Sequence, residues 1–181
     1  MVGAKPMIAK GSVLADPAWY AIYTRHQHEK TVAHVLSSKG FEIFLPLYTT
    51  ARRWTDRTKQ LSLPLFPCYV FFRGDSHRRG EVLSTPGVYN LVGTEGRPAP
   101  ISEAEIDAVR QMIESKAQVE PHPFLRRGDW VRVKAGPLAG IEGILLRKKN
   151  LFRLVVSVEL LQKSVAVEVD VETVERATRR G

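Results

Sequence analysis

The first half of the chain alternates short apolar runs with amphipathic segments. The apolar run at 18–24 predicts a strand, because large hydrophobic residues lie on both of its faces. Val32 and Leu36 begin and end an i, i+3, i+4 stripe that predicts a helix over 26–39, and Gly40 follows where a left-handed cap belongs. The same reasoning predicts further elements, which are strands at 41–45, 68–73 and 88–92 and a short helix at 77–83.

A further helix is indicated near the end of this half. Ser102 and Glu105 have the spacing of a capping box, and Ile106 and Val109 begin an apolar stripe. The elements before this helix follow the order strand-helix-strand-strand-helix-strand, which is typical of a ferredoxin-like α+β sandwich. Between the second and third strands, the polar segment 49–63 predicts an exposed hairpin or loop.

The second half shows strand patterns and no helical stripe. Alternating apolar residues predict strands at 130–134, 144–146, 152–158 and 164–169, with turns between them that contain glycine, proline or asparagine. Valine is frequent from 155 to 174, and its branched side chain favours a strand over a helix. A small SH3-like β-barrel is therefore expected.

Proline-containing sequence separates the two halves. Pro121 and Pro123 lie in a segment without hydrophobic periodicity, which predicts a flexible linker. The expected organisation is a flexible leader at 1–16, a ferredoxin-like domain at 17–116, a linker at 117–124 and a barrel domain at 125–178.

Charge and composition narrow the class of partner. The formal net charge of +8 and the pI near 9.8 favour a polyanionic partner such as nucleic acid. No apolar run is long enough for a membrane-spanning helix, and residues 1–16 lack the apolar core of a secretion signal, so we expect a cytoplasmic protein with no membrane partner. The single cysteine, Cys68, excludes an internal disulfide and, on the same reasoning, any cysteine-based zinc site.

Candidate catalytic groups are few. His26, His28 and His34 crowd one side of the first predicted helix, but position 32 is Val where a His-Glu-x-x-His zinc motif needs its second histidine. We therefore expect solvent-exposed histidines, and Cys68 is expected to be an inert thiol within a strand. The sequence has no phosphate loop, dinucleotide fingerprint or nucleophile elbow, so no catalysis, metal or cofactor is expected.

Basic residues form two candidate sites in the first half. The site in the polar segment combines cations with an aromatic ring and consists of Arg52, Arg53, Trp54, Arg57 and Lys59. The other site, at the start of and along the first predicted helix, consists of Arg25, Lys30 and Lys39. Cations beside an aromatic ring suit phosphate contact and base stacking. For either site, the alternative is a charged surface that only confers solubility.

Two stretches of the chain resemble one known family. Residues 128–145, GDWVRVKAGPLAGIEGIL, resemble the KOW motif, in which glycines allow two strands to pack closely. Residues 19–23, WYAIY, and 64–71, PLFPCYVF, resemble the amino-terminal domain of the NusG family, and the motifs occur in that family's order. The resemblance implies a ferredoxin-like NGN domain followed by a KOW barrel, in agreement with the hydrophobic pattern.

The resemblance also implies a function. NusG-like proteins are transcription elongation factors that bridge the RNA polymerase cleft and suppress pausing, so no enzymatic activity is expected. The face implied to grip the clamp helices of the largest polymerase subunit consists of Tyr23, Phe66, Tyr69 and Phe71. The residues expected to contact the non-template DNA strand are Arg25, Lys30, Arg52, Arg53 and Arg57. The KOW turn implied to bind a ribosomal small-subunit protein or Rho consists of Gly136, Pro137, Leu138, Gly140 and Gly143.

Further expectations concern the accessibility of these surfaces. Phe66 is expected to be exposed, because Pro64 and Pro67 hold the backbone around it in a fixed conformation. The barrel is expected to be flexibly tethered to the first domain, which leaves the polymerase-binding face open. The protein is expected to be a monomer.

Two features resemble the specialised RfaH/UpxY-type antiterminators of this family. The Pro-Leu-Phe-Pro-x-Tyr-Val-Phe sequence at 64–71 stands where housekeeping members usually show a basic, simpler approach to Phe-Pro-Gly-Tyr-Val, and Leu138 stands where they carry phenylalanine. We therefore expect antitermination on selected operons. The alternatives are a housekeeping NusG that acts with Rho and the ribosome, and a KOW-type RNA-binding or ribosome-associated protein.

Overall fold

The computed structural model describes residues 17–53, 58–148 and 150–178. Its helices and strands, in chain order, are β1 (Ala18–Thr24), α1 (Glu29–Ser38), β2 (Glu42–Phe44), β3 (Leu47–Arg53), β4 (Thr58–Pro64), β5 (Tyr69–Gly74), α2 (Arg79–Leu83), β6 (Val88–Leu91), β7 (Gly93–Thr94), β8 (Arg97–Pro98), α3 (Glu103–Glu114), β9 (Val119–His122), β10 (Asp129–Val133), β11 (Glu142–Lys148), β12 (Leu151–Val158), β13 (Lys163–Val169) and β14 (Val174–Arg176). None of the helices in these described ranges is long and apolar enough to span a membrane. The predicted leader at 1–16, together with Trp54 and Arg57, lies outside the described residues.

Four strands of the first half form an antiparallel sheet in the order β2-β5-β1-β6. α1 connects β1 to β2, and α2 connects β5 to β6, so the chain follows the predicted strand-helix-strand-strand-helix-strand order. The β3–β4 hairpin is inserted between β2 and β5. The predicted ferredoxin-like α+β fold is therefore confirmed.

The two faces of this sheet bury different side chains, because neighbouring residues of a strand point to opposite faces. Ile22 of β1 packs with Val32 of α1 and Val82 of α2. Trp19 and Ala21, on the other face of β1, belong to an apolar cluster that also includes residues of α3 and the barrel. The first face is therefore covered by the two ferredoxin-type helices, and much of the second is covered by α3 and the second half of the chain.

The second half forms a six-stranded antiparallel sheet in the order β14-β10-β11-β12-β13-β9. Its valines include the buried Val155, Val165 and Val167, as the strand pattern predicted. Gly143 of β11 lies so close to β12 that an added Cβ would stand 2.5 Å from the carbonyl oxygen of Val155. The predicted small KOW-type barrel is confirmed.

The segment predicted to be a flexible linker contains a strand. β9 pairs with β13, with Val119 opposite Val167 and His122 opposite Ser164. Pro121 is tolerated because β9 is an edge strand, where a missing amide donor need not remove a hydrogen bond of the sheet. The prediction of a flexible tether is therefore wrong for these residues.

The barrel packs on α3 and is not separate from the first domain. Met112 of α3 and Leu154 of β12 belong to one apolar cluster, and the two elements are in contact. The Nε2 group of Gln111 donates hydrogen bonds to the carbonyl oxygens of Pro137 and Ala139, at 3.1 and 2.9 Å. The expectation of a flexibly tethered barrel is wrong, because the apolar stripe of α3 is buried against the barrel.

Some local expectations are confirmed and others are wrong. Gly40 follows α1 with a φ of +80°, as predicted for a left-handed cap. Ser102 precedes α3, but its side chain makes no capping hydrogen bond, and Oε1 of Glu105 instead accepts one from the amide of Glu159. Cys68 lies in a turn before β5 and not within a strand.

Candidate functional site

Three tyrosines form an exposed group, the tyrosine patch, at one end of the four-stranded sheet. Tyr23, near the end of β1, lies opposite Tyr69, the first residue of β5. On the other side of β1, Tyr23 lies opposite Asn90 of β6, and the next residue, Thr24, lies opposite Val88. Tyr89, between Asn90 and Val88, therefore has no partner in β1. Tyr89 is therefore the extra residue of a β-bulge, and this local distortion brings its ring to that of Tyr23.

The rings of the tyrosine patch are in mutual contact. The rings of Tyr23 and Tyr89 are stacked with their centroids 5.7 Å apart, and those of Tyr23 and Tyr69 lie 5.5 Å apart. The guanidinium carbon of Arg25 lies 5.7 Å from the centroid of the Tyr89 ring. Tyr89 is 60% exposed and Tyr23 is 38% exposed, so aromatic surface faces solvent beside a cation. This arrangement can bind an apolar partner surface or stack on a nucleobase.

The Tyr69 hydroxyl group stays neutral in this patch. Burial raises the pKa of Tyr69 above its ordinary value, and the neighbouring Tyr23 and Cys68 act in the same direction. Tyr69 therefore presents a phenol that can donate a hydrogen bond throughout the physiological pH range.

Phe66 and Phe71 are core residues and not surface residues. They are 1% and 0% exposed, and their rings pack edge to face with centroids 5.5 Å apart. Both belong to the apolar cluster that continues into α3 and the barrel. The prediction that Pro64 and Pro67 present Phe66 to solvent is wrong, because this cluster encloses the ring.

The β3–β4 hairpin carries the basic residues of the polar segment. Arg52 lies opposite Lys59, and the side chains of Arg52, Arg53 and Lys59 are exposed. The Nζ of Lys30 in α1 donates a 2.8 Å hydrogen bond to the carbonyl oxygen of Ser62 in β4. Lys30 therefore attaches the hairpin to α1, while the hairpin arginines remain accessible to an anionic ligand.

The first half of the chain matches a known family. The family model NusG, described as transcription termination factor nusG, matches residues 17–110, which is more than half of the chain. The chain belongs to the NusG family. The proteins of this family are transcription factors and not enzymes.

Individual NusG relatives match both halves of the chain. The transcription termination/antitermination protein NusG of Escherichia coli (strain K12) is 35% identical over 175 residues, which cover 88% of this chain and 96% of that protein. NusG of Thermus thermophilus is 28% identical over 180 residues, covering 88% of this chain and 98% of the relative. A solved structure of Thermotoga maritima NusG shares the fold, with a TM-score of 0.56 at 20% identity over 90% of this chain and 98% of that one. The protein is therefore a NusG-type transcription termination/antitermination factor.

In this NusG family member, the glycine-rich turn of the KOW domain faces α3. Gly136 and Gly140 have φ values of +85° and +87°, which glycine adopts without strain. Pro137 is exposed, but Leu138 is buried in the cluster that includes α3, and Gly143 is buried within the barrel sheet. Leu138 and Gly143, two residues of the implied partner-binding turn, are therefore not accessible in the docked structure.

Tyr89 is a candidate binding residue of this NusG relative that the sequence did not single out. Its only sequence signal was its position in an aromatic-rich block, because 88–92 reads as an ordinary strand. The bulge that brings its ring to Tyr23 is a property of strand pairing and is not visible in the local pattern.

A second group missed by the sequence analysis surrounds Cys68. Glu29 is only 4% exposed, and its Oε1 accepts a 2.7 Å hydrogen bond from the amide of Cys68. The Nδ1 of the exposed His26 lies 3.9 Å from the Cys68 Sγ. Burial and the charge of Glu29 raise the pKa of the Cys68 thiol, and Lys163 opposes this shift. The thiol is therefore neutral and weakly nucleophilic in this environment.

Proposed function

We propose that this protein is a transcription elongation and antitermination factor that binds RNA polymerase through the tyrosine patch. The observation that carries the proposal is the exposed and mutually stacked set of Tyr23, Tyr69 and Tyr89. The NusG resemblance implies the clamp helices of the largest polymerase subunit as the partner, and two of these tyrosines lie in the segments that carry that resemblance.

The tyrosine patch has the properties of an interface anchor. Tyrosine presents a large, rigid apolar ring with a polar tip, and residues of this kind dominate binding energy at protein interfaces. Arg25 at the rim adds a positive charge that suits an acidic partner surface. Phe66 and Phe71 are buried in the apolar cluster on the same face of the sheet, so the proposed polymerase-binding set loses them and gains Tyr89.

The proposed contacts to the non-template DNA strand come from Arg25 and the β3–β4 hairpin. Arg52 and Arg53 are exposed, and neither forms an ion pair with another described residue. Their guanidinium groups are therefore available for phosphate oxygens. Lys30 contributes through its bond to the hairpin, and Arg57 remains part of the proposed set although it lies outside the described residues.

Replacing Tyr89 by alanine is expected to weaken polymerase binding by about 2 kcal/mol, roughly 30-fold in Kd, because an exposed aromatic anchor is lost. The measurement is the Kd for core polymerase, with thermal melting to verify that the variant is folded. Leu83→Ala is the matched control, because Leu83 is an exposed apolar residue on α2, which covers the opposite face of the sheet. Unchanged affinity of both Tyr89→Ala and Tyr23→Ala would exclude the patch as the binding site.

Reversing the charges of Arg52 and Arg53 together is expected to weaken binding to single-stranded DNA and to flatten its salt dependence. Each lost phosphate contact reduces the slope of log K against log salt concentration by about 0.7. The measurement is the Kd for an oligonucleotide over a range of salt concentrations. The control reverses Arg79 and Arg97, which are also exposed and change the net charge equally. Equal slopes for the two double variants would mean that the hairpin arginines only confer solubility.

The proposed role is antitermination on selected operons. The departures at 64–71 and at Leu138 from the housekeeping pattern support it. The housekeeping alternative, with Rho and the ribosome as partners of the KOW turn, is favoured by the 35% identity to E. coli NusG over 88% of this chain. Sequencing the transcripts that the cognate polymerase extends with and without the factor separates the two roles. Effects on a few operons support specialisation, and effects on most transcripts support the housekeeping role.

A further inference from the structure

Three potential metal ligands lie together beside the cleft between α1 and the β3–β4 hairpin. A ring nitrogen of His26, a carboxylate oxygen of Glu29 and the Sγ of Cys68 lie within 4.8 Å of one another. His26 lies in the turn before α1, Glu29 is the first residue of α1, and Cys68 lies in the turn before β5. His26 and Cys68 are 42 positions apart, so no motif of fixed spacing reveals the group.

The backbone conformation of Cys68 is unusual for a residue with a side chain. Its φ of +69° lies in the left-handed region, where glycine is favoured and a Cβ is strained. Strained backbone of this kind concentrates at functional sites. Here the conformation directs the amide of Cys68 to Glu29 and places Sγ 3.9 Å from the Nδ1 of His26.

Glu29 is a buried carboxylate without a basic partner. It is 4% exposed, and no lysine, arginine or histidine among the described residues forms an ion pair with it. The Glu29 carboxylate accepts one hydrogen bond from the amide of Cys68, which uses only part of the capacity of this carboxylate to accept hydrogen bonds. Because a buried carboxylate is unfavourable unless it is paired or coordinates a metal, a cation at this position would compensate its charge.

We propose that His26, Glu29 and Cys68 bind a divalent cation of the zinc class. The ligands are Nδ1, a carboxylate oxygen and Sγ, whose thiol proton is released to solvent when the metal binds, and water completes a tetrahedral set. Zinc–sulfur and zinc–nitrogen bonds of about 2.3 and 2.0–2.1 Å place tetrahedral ligand atoms roughly 3–4 Å apart. The observed group therefore has to contract by only about 1 Å, and the exposed turn at His26 can supply this movement.

The surroundings of the three ligands favour a thiophilic metal over a hard cation. The adjoining cleft has a volume of about 420 Å³ and gives access to solvent water. Lys30 lines the same cleft, and Lys163 acts electrostatically on Cys68. These positive charges disfavour every divalent cation, so the choice of metal depends on the ligands. Thiolate and imidazole favour zinc, whereas Mg²⁺ and Ca²⁺ prefer oxygen ligands. The proposal departs from the expectations that a single cysteine excludes a cysteine-based zinc site and that no metal is bound. Those expectations rested on sequence spacing, and the three ligands come together only in the folded chain.

Titration of Co²⁺ into the full-length protein tests the proposal directly. We expect one bound equivalent, a thiolate-to-cobalt charge-transfer band in the near ultraviolet, and the intense visible bands of tetrahedral cobalt, all displaced by Zn²⁺. Cys68→Gly should abolish the charge-transfer band. This variant is expected to remain folded, because a φ of +69° suits glycine. Circular dichroism verifies that the variant is folded.

Histidine variants test the geometry. His26→Ala should weaken Co²⁺ binding by at least about tenfold, and His28→Ala, which removes a neighbouring exposed histidine, should not change it. Zn²⁺ should also slow alkylation of Cys68 in the wild-type protein but not in His26→Ala. The proposal is overturned by the absence of a charge-transfer band in the folded wild-type protein, by a band that survives Cys68→Gly, or by equal loss of affinity in both histidine variants.

Discussion

Replacing Phe66 by alanine is expected to lower the free energy of unfolding by about 3–5 kcal/mol. Phe66 is 1% exposed, and its ring packs edge to face on Phe71 with centroids 5.5 Å apart. The variant loses the transfer free energy of the ring and leaves a cavity in the cluster that joins the sheet, α3 and the barrel. Urea unfolding followed by circular dichroism provides the measurement, with a lower midpoint expected at an unchanged slope.

Leu63→Ala is the control for this prediction. Leu63 lies in β4, close to Phe66 in the chain, but it is 38% exposed. Its truncation is expected to change the free energy of unfolding by less than about 1 kcal/mol, as is usual for surface substitutions. A similarly small change for Phe66→Ala would contradict the burial of this ring and would restore the sequence-based prediction of an exposed polymerase contact.

Introducing a carboxylate at Leu138 is expected to separate the KOW barrel from α3. Leu138 is 8% exposed, and the carbonyl groups on either side of it accept hydrogen bonds from Gln111 of α3. An unpaired buried charge costs on the order of 3–5 kcal/mol, and Leu138→Asp avoids this cost when the domains separate. Amide hydrogen exchange is the measurement. We expect faster exchange in α3 and retained protection in β12 and β13.

Ala139→Asp tests whether charge alone produces this effect. Ala139 follows Leu138 in the same turn and is exposed, so its carboxylate faces water and the domains should stay docked. Loss of protection throughout the barrel in Leu138→Asp would instead mean that Leu138 stabilises the barrel itself. Unchanged protection of α3 would mean that the docked arrangement does not depend on this side chain.

The docked arrangement bears on the partners of the KOW turn. A ribosomal protein or Rho that needs Leu138 as a contact can reach it only after the barrel leaves α3, because the side chain is buried in the docked structure. The tyrosine patch is accessible without this movement, since Tyr23 and Tyr89 are exposed in the docked structure. The proposed polymerase binding through the patch and the proposed partner binding through the turn therefore have different structural requirements.

The functional site was predicted in part. Tyr23 and Tyr69 follow from the motifs that resemble the NusG family, and the exposed arginines of the hairpin follow from a polar segment without an apolar stripe. The sequence predicts an exposed Phe66, because Pro64 and Pro67 restrict the backbone around it. That restriction is local and does not determine which elements pack on the ring, so the exposure of Phe66 could not be read from its neighbours.

Most elements and their order, and with them the ferredoxin-like and barrel folds, were predictable from the sequence, but β7, β8, β9 and β14 were not among the predicted strands. Hydrophobic periodicity and turn residues act over a few positions, so they are readable along the chain. Three features depend on contacts between distant parts of the chain: β9 joins the barrel, α3 buries its stripe against β12, and the bulge brings Tyr89 to Tyr23. The same holds for the meeting of His26, Glu29 and Cys68. These contacts join distant positions, and their energies depend on which surfaces remain to be buried once the local elements have formed.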